Sequence, residues 1–210
     1  MKIISIEGNI GSGKSTFLQL LKDNIKDDNV LFLGEPVDEW NSIKDTEGKN
    51  IIENYYSDQK KYAFSFQMMA YISRLAVLKR AIESKKYNII ITERCLYTDK
   101  NVFCNMLFDD GLIHLIDYTI YNKWFDEFLG LMTNIHYVYL KTDPLVSNKR
   151  VIHRARKGEV IDIKYLIKCG EYHDRWLDSS KNVTIIDANI DSKYLDIHLW
   201  INIVRELMIE

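Results

Sequence analysis

Residues 8–16, GNIGSGKST, have the most chemically specific spacing in the chain. Gly8, Gly13, Lys14 and Ser15 fit the pattern G-x-x-x-x-G-K-[ST], between an apolar β-branched run and an amphipathic helical pattern. Such glycines let successive backbone N–H groups surround an anion at the positive end of a helix, while the lysine reaches the β- and γ-phosphates and the Ser15 hydroxyl ligates Mg²⁺. The stretch predicts a nucleoside triphosphate site; the alternative is a glycine-rich turn that binds nothing.

Five strand-like runs position this loop, at residues 2–6, 30–33, 87–92, 135–140 and 182–187. They alternate with helical patterns, which predicts an α/β fold with a five-stranded parallel sheet flanked by helices on both faces. No Gly/Ser-rich linker interrupts the series, so we expect a single domain over residues 1–210. Ligands of such sheets gather at the carboxyl ends of the strands, where the remaining candidates lie.

Composition limits the partners and the compartment. The formal net charge of −2 gives no general attraction to nucleic acid or anionic lipid, so we expect neither a polynucleotide nor a membrane as partner. Cys95, Cys104 and Cys169 form no C-x-x-C pair, which is typical of free thiols in a reducing compartment. With no targeting leader and no apolar run of membrane-spanning length, the sequence predicts a cytoplasmic location.

Glu35 follows the second strand-like run in GEPVDEW, where Pro36 restricts the turn. A carboxylate that faces a phosphate loop can accept the proton of a hydroxyl that attacks the γ-phosphate. The alternative is a helix-capping or solvated glutamate. Trp40, in the same segment, either fills the core or lines a ligand pocket.

Glu93 and Arg94 follow the most apolar strand-like run, in TERC. Opposite charges at the end of a buried strand are costly unless they pair with each other or with a ligand. In a phosphotransfer site Glu93 would hold Mg²⁺ and Arg94 would hold the acceptor or the transferring group. A structural ion pair is the alternative.

A basic segment, KRVIHRARKGE at 149–159, contains Arg150, Arg154 and Arg156 within two helical turns. Arg150 and Arg154 are spaced i, i+4 and share a face, and a Lys-Gly-Glu stretch follows. This pattern predicts a flexible lid at about 150–160 whose arginines close over a triphosphate. A solvated basic helix is the alternative.

The ordered motifs IEGNIGSGKST, EPVDEW, SFQ, ERCLYTD and RARKGE, continued by YLIKCGEYHDRWL, are similar to those of the deoxyribonucleoside kinase family, which includes deoxycytidine, deoxyguanosine and mitochondrial thymidine kinases. The resemblance covers nearly the whole chain and implies a P-loop kinase fold. It also implies ATP as phosphoryl donor, Mg²⁺ as cofactor and a homodimer. The family usually has E-R-S where this chain has Cys95.

The resemblance also implies roles for individual residues. Lys14, Glu35, Arg94 and Arg156 become the catalytic groups, with Glu35 as the base that deprotonates the sugar 5′-hydroxyl. Ser15 and Glu93 become the Mg²⁺ residues. The residues implied to bind the donor phosphates are Gly8, Asn9, Ile10, Gly11, Ser12, Gly13, Lys14, Ser15, Thr16, Arg150 and Arg154. The residues implied to bind the nucleoside are Glu35, Trp40, Tyr56, Phe66, Gln67, Ala70, Arg74, Arg94, Asp99, Phe103 and Glu159.

Within the acceptor pocket, Tyr56 and Glu159 are implied to hold the 3′-hydroxyl and Phe103 to stack on the base. A glutamine amide at Gln67 presents donor and acceptor sides that complement a Watson–Crick edge, although a buried glutamine bonded to backbone is the alternative. Trp40 would wall this pocket.

Three residues predict the base preference. Gln67, Ala70 and Arg74 are spaced i, i+3, i+7 and so share one helix face. Family members that favour deoxycytidine and purine deoxynucleosides carry small, Arg and Asp residues at three pocket positions, which Ala70, Arg74 and Asp99 resemble. An Arg74–Asp99 pair would disfavour the edge of thymine.

The sequence thus predicts ATP-dependent phosphorylation of the 5′-hydroxyl of deoxyribonucleosides in nucleotide salvage, with deoxycytidine and purine deoxynucleosides favoured over thymidine. The closest alternative is a thymidylate kinase, but the R-E-P-G-G and D-R-Y patterns typical of that enzyme are missing. A nucleotide-binding switch is the more distant alternative, because the chain has no N-K-x-D guanine reader.

Overall fold

The computed structural model describes residues 1–156, 159–190 and 197–209. Five strands form one parallel sheet in the order β2-β3-β1-β4-β5. The strands are β1 (Lys2–Glu7), β2 (Val30–Leu33), β3 (Ile89–Glu93), β4 (Ile135–Lys141) and β5 (Val183–Asp187). The predicted α/β fold is confirmed, with strand ends that differ from the predicted ones by at most two residues.

The described helices are α1 (Lys14–Asn24), α2 (Val37–Ser42), α3 (Ile51–Ser57), α4 (Gln59–Ser84), α5 (Leu96–Thr98), α6 (Asn105–Asp109), α7 (Leu115–Glu127), α8 (Pro144–Arg154), α9 (Ile163–Asp178) and α10 (Ile197–Ile209). A π-helical segment, Asp99–Cys104, joins α5 to α6. Such segments are rare and occur frequently at functional sites. Within the described ranges, no helix has both the length and the apolar character needed to cross a membrane.

Apolar residues on both faces of the sheet explain why helices cover both faces. On one face Ile4, Ile6 and Val138 pack with Phe17 of α1 and Trp200 of α10. On the other face a second buried cluster joins the sheet to α4, α7 and α9. This cluster includes Ile3, Ile90, Tyr137, Tyr71, Leu75, Leu78, Phe125 and Leu177. Strands buried on both sides are typical of parallel sheets.

Side-chain caps set the starts of the helices that frame the site. Asp58 caps α4 by accepting from Lys61 N, and Asp143 caps α8 by accepting from Leu145 N, with proline at the first helical position. β1 lies at the centre of the sheet, between β3 and β4. The carboxyl ends of β1, β2 and β3 therefore bring the phosphate loop, the Glu35 segment and the Glu93 segment to one edge.

Candidate active site

The phosphate loop connects β1 to α1 and is held tightly by its neighbours. Gly8 and Gly11 have φ values of 147° and 81°, and a Cβ on Gly11 would lie 2.5 Å from the backbone oxygen of Ser147. No other residue type fits that contact. Asn9 anchors the loop to α9, because its Nδ2 donates to the backbone oxygen of Leu166 at 2.7 Å. The loop is thus held firmly at the positive end of α1.

Lys14 is buried at the first position of α1. Its Nζ donates to the backbone oxygen of Asn9 at 2.6 Å and lies 3.4 Å from Oγ of Ser12. Burial, together with the nearby positive charge of Arg94, lowers the pKa of Lys14 to about 7. Anionic oxygens placed beside this amine would favour its charged form.

Ser15 and Glu93, the two residues predicted to hold Mg²⁺, lie side by side. Oγ of Ser15 donates to Oε1 of Glu93 at 2.7 Å, although the two residues are 78 positions apart in the chain. A hydroxyl and a carboxylate at the mouth of a phosphate loop supply the hard oxygen ligands that Mg²⁺ prefers. The donor set therefore fits this metal.

The charge partner of Arg94 is Glu35. Nη1 of Arg94 donates to Oε1 of Glu35 at 2.5 Å, and the guanidinium lies 5.0 Å from the ring centroid of Phe103. Glu93 accepts from Ser15, and no Glu93–Arg94 salt bridge occurs among the described residues. Arg94 has a φ of 60°, which is uncommon for a residue with a side chain.

Arg74 joins the general-base candidate to the base pocket. Its Nε donates to Oδ2 of Asp99 at 3.0 Å, which confirms the predicted Arg74–Asp99 pair. The same guanidinium donates to the backbone oxygen of Glu93 at 2.8 Å and to Oε1 of Glu35 at 3.3 Å. These bonds make one buried polar network out of residues from α4, the Glu35 segment and the Glu93 segment.

Two guanidinium groups control the ionisation of Glu35. Burial alone would raise the pKa of this carboxyl, but the charges of Arg94 and Arg74 outweigh that effect and lower the pKa to about 2. Glu35 is therefore ionised at neutral pH and able to accept a proton. It is also a weak base while both arginines hold it, so basicity depends on how ligands change these pairs.

The predicted helix face exists in α4, where Gln67, Ala70 and Arg74 are all buried. Oε1 of Gln67 has no hydrogen-bond partner among the described residues. A buried acceptor without a partner is costly, and its site is a natural place for the donor of a ligand. This oxygen therefore makes no bond to backbone among the described residues.

Aromatic rings enclose the same space. Trp40 is buried and its Nε1 donates to Oγ of Ser73 at 2.8 Å, so it both packs and lines the cavity. Phe66 stacks on Tyr55 with ring centroids 4.5 Å apart. Phe103, from the π-helical segment, lines the cavity beneath Arg94. Flat apolar walls of this kind suit a planar base.

Tyr56 and Glu159, the predicted 3′-hydroxyl pair, lie near each other. Burial and the negative charge of Glu159 raise the pKa of Tyr56 well above its usual value, so it keeps its proton. Glu159 accepts from Nη2 of Arg154 at 2.5 Å and lies 3.9 Å from Nη1 of Arg156. The predicted lid at 150–160 includes residues 157 and 158, which lie outside the described residues.

Arg150 and Arg154 are both in α8, but their side chains make different contacts. Nη1 of Arg150 donates to the backbone oxygen of Ala188 at 2.9 Å, and Nη2 donates to that of Ile190 at 3.1 Å. A longer contact of 3.4 Å joins Nη1 to the backbone oxygen of Ser12. Arg150 thus ties the phosphate loop to the end of β5, whereas Arg154 ends the helix.

A continuous cavity of about 500 Å³ unites these groups. Except for Gly8 and Asn9, every predicted site residue lines it, from Ile10 and Thr16 to Glu159. Sequence reasoning missed several lining residues, namely Phe17, Leu20, Ile52, Tyr55, His153, Tyr165, Ala188, Ile190, Ile197 and Trp200. Tyr55 directly precedes the predicted Tyr56, and Tyr165 is the first residue of the YLIKCGEYHDRWL stretch, so both lie beside residues that the sequence singled out. Their hydroxyl groups are 3.1 Å apart although the two residues are 110 positions apart in the chain.

The amino-acid sequence matches known proteins over most of the chain. A family model for deoxynucleoside kinase matches residues 4–204. The chain belongs to the deoxynucleoside kinase family. It is therefore a phosphotransferase that acts on deoxynucleosides and uses a nucleotide as phosphate donor.

Named relatives agree with this family. The kinase is 35% identical to a probable deoxycytidine kinase of fowlpox virus, with 93% of this chain and 81% of the relative covered. It is 28% identical to the deoxycytidine kinase of Bos taurus, over 94% and 87% of the two chains. It is 27% identical to the mitochondrial deoxyguanosine kinase of Xenopus laevis, over 92% and 83%.

Proposed function

We propose that the kinase transfers the γ-phosphate of ATP to the 5′-hydroxyl of deoxyribonucleosides, and that it favours deoxycytidine and purine deoxynucleosides over thymidine. The observation that carries this proposal is the cavity itself. It joins a phosphate loop to the unpartnered oxygen of Gln67 and to the Arg74–Asp99 pair. A single space of this size accommodates a donor and an acceptor end to end.

In the proposed reaction, ATP lies on residues 8–16 and the nucleoside lies under α4. Ser15 and Glu93 would hold Mg²⁺, which supplies charge neutralisation at the β- and γ-phosphates when bound. Glu35 accepts the 5′-proton as that oxygen attacks the γ-phosphorus. Lys14, Arg94 and Arg156 stabilise the charge that spreads over the transferring group.

Base preference is proposed from Arg74 and Asp99, which line the same cavity as Gln67. They hold each other at 3.0 Å and so form a fixed polar pair in the wall of this cavity. The names of two relatives, a probable deoxycytidine kinase and a deoxyguanosine kinase, support the same acceptors. Thymine would bring its methyl and carbonyl edge against this pair.

Assembly as a homodimer is also proposed. The α7 side chains Leu115, Ile116, Ile120 and Trp124 are exposed, with Leu115 and Ile116 about 70% accessible. Ile116, Ile120 and Trp124 follow at i, i+4, i+8 and form one apolar stripe.

We further propose that residues 1–210 act as one domain. The cytoplasmic location stays a prediction, and Cys95, Cys104 and Cys169 are free in the structure.

Purified protein incubated with Mg²⁺–ATP and, separately, each of four deoxyribonucleosides and thymidylate tests the proposal. We expect monophosphates from deoxycytidine and the purine deoxynucleosides at higher kcat/KM than from thymidine. Product from thymidine alone would contradict the base preference. Product from thymidylate alone would favour a thymidylate kinase, and no product from any acceptor would favour a nucleotide switch.

A further inference from the structure

Glu7 is a fully buried carboxylate that the proposed reaction does not use. It is the last residue of β1 and directly precedes Gly8 of the phosphate loop. No arginine or lysine forms a salt bridge with it among the described residues. Its oxygens are instead held by two hydroxyl groups, since Ser5 Oγ donates to Oε1 at 2.5 Å and Thr98 Oγ1 donates to Oε2 at 2.7 Å.

The hydroxyl groups around Glu7 each donate to its carboxyl and accept from another group. Because Thr98 must donate to the carboxylate, its lone pairs are left to accept from the backbone N–H of Cys95, 3.2 Å away. Ser5 likewise donates to Glu7 and accepts from Thr92 Oγ1 at 3.2 Å. Through these bonds the Glu7 carboxyl organises a chain of hydroxyls that runs from β3 through β1 to α5.

This chain ends at the residue directly after Arg94. The backbone of Arg94 has a φ of 60°, and its N–H donates to the backbone oxygen of Ile6, the neighbour of Glu7, at 3.0 Å. A strained backbone of this kind persists only where the surroundings determine it. The Glu7–Thr98–Cys95 contacts hold the residue that directly follows Arg94.

We propose that Glu7 is a positioning residue, which acts through Thr98 to hold the turn that aims Arg94 at Glu35. The inference rests on the proposed function, because it takes Arg94 as a group that meets the reacting phosphate. It adds a residue that touches neither substrate.

Substitutions at position 98 test the contact without altering the phosphate loop. Thr98→Val is nearly isosteric and removes the hydroxyl, so we expect kcat to fall by about 10- to 100-fold, the size of effect that a small misplacement of reacting groups produces. We expect KM for deoxycytidine and Kd for ATP to stay within about two-fold. Thr98→Ser keeps the hydroxyl and should restore most of kcat. Thr133→Val, at an exposed threonine just before β4, is the control.

Glu7→Gln provides a second variant. An amide in this place directs an NH₂ group toward Ser5 or Thr98, each of which already accepts another donor, so the hydroxyl that faces the NH₂ group loses the acceptor for its own proton. We expect a fall in kcat of about 10-fold or more, with activity normalised to the folded fraction measured by urea unfolding. Wild-type kcat in both Glu7→Gln and Thr98→Val overturns the proposal.

A double-mutant cycle with Arg94→Lys separates positioning from general destabilisation. If Thr98 acts through Arg94, Thr98→Val costs less than about two-fold in kcat once Arg94 has been replaced. An equal cost in both backgrounds overturns the proposal. Arg94→Lys with wild-type kcat contradicts the proposed role of Arg94 itself, whereas a low kcat for Arg94→Lys beside an unaffected Thr98→Val contradicts only the role of Glu7.

A crystal structure of Thr98→Val gives a readout independent of activity. We expect φ of Arg94 to leave the left-handed region or its Nη1 to move beyond 3.5 Å from Glu35. An unchanged turn overturns the proposal whatever the kinetics.

Discussion

The guanidinium of Arg74, on the helix proposed to face the nucleobase, donates to the carboxylate of Glu35 at 3.3 Å. The group proposed to select the base therefore also touches the group proposed to accept the proton. Base selection and catalysis are linked through one side chain, so a change of specificity should alter turnover as well as binding.

The double variant Arg74→Met, Asp99→Ala should raise kcat/KM for thymidine by about 10-fold or more and lower it for deoxycytidine, because the edge that opposes thymine is removed. Loss of the Arg74 charge should also raise the pKa of Glu35, so the acid limb of the kcat profile moves toward higher pH. Steady-state kinetics with both nucleosides from pH 4 to 8 measure these effects. Unchanged thymidine turnover would show that the pocket assignment is wrong.

Replacing the proposed base, Glu35→Gln, should lower kcat by about 10²- to 10⁴-fold, the usual contribution of one general base. The amide oxygen can still accept from Arg94, so KM for the nucleoside should change little. Glu39→Gln, an exposed glutamate on α2, is the matched control. Near-wild-type turnover in Glu35→Gln would remove Glu35 as the base.

Gln67→Met should separate stability from function. The substitution removes a buried oxygen without a partner, so the free energy of unfolding should rise by about 1 kcal/mol. KM for deoxycytidine should rise by about 10- to 100-fold because the hydrogen bonds to the base are lost. Urea unfolding and initial rates test the two effects, with the exposed Gln19→Met as control. A destabilised variant with normal KM would indicate a structural glutamine.

Donor binding should depend on pH through Lys14. Its pKa of about 7 is that of the free protein, and the phosphates of ATP favour the charged form and raise it. Binding above pH 7 must therefore take up a proton, so Kd for ATP should rise by about 10-fold per pH unit between 7.5 and 9. Calorimetry in two buffers of different ionisation enthalpy measures this uptake. Lys14→Met should bind weakly and without this dependence; a constant wild-type Kd would contradict the prediction.

Acid stability should depend on His173, which is fully buried against Tyr139 and Phe103. Burial lowers its pKa to about 3, so below pH 6.5 the unfolded chain binds a proton that the folded chain does not. The free energy of unfolding should then fall by about 1.4 kcal/mol per pH unit below 6.5. His173→Gln should lose this component, so that its stability deficit narrows between pH 7.5 and 5. A deficit independent of pH would contradict the assigned ionisation.

Patterns that lie close together in the sequence predicted much of this structure. The glycine spacing at 8–16, the five apolar runs and the i, i+3, i+7 face of α4 are local, and all three occur as expected. The partners of charged groups were harder to predict, because they depend on folding. Arg94 meets Glu35 across 59 positions and Arg150 meets backbone carbonyls near β5, which no spacing within the lid segment encodes.

The contact between Glu159 and Arg154 has a consequence for how each substrate changes the affinity for the other. If Glu159 takes the sugar hydroxyl as proposed, it must share or give up the 2.5 Å bond to Arg154, and that arginine becomes available to the phosphates. Arrival of the nucleoside would then strengthen binding of the triphosphate, and by thermodynamic reciprocity the triphosphate would strengthen binding of the nucleoside by the same factor. We therefore expect the two substrates to bind in synergy, through this exchange of partners at Arg154 and Glu159.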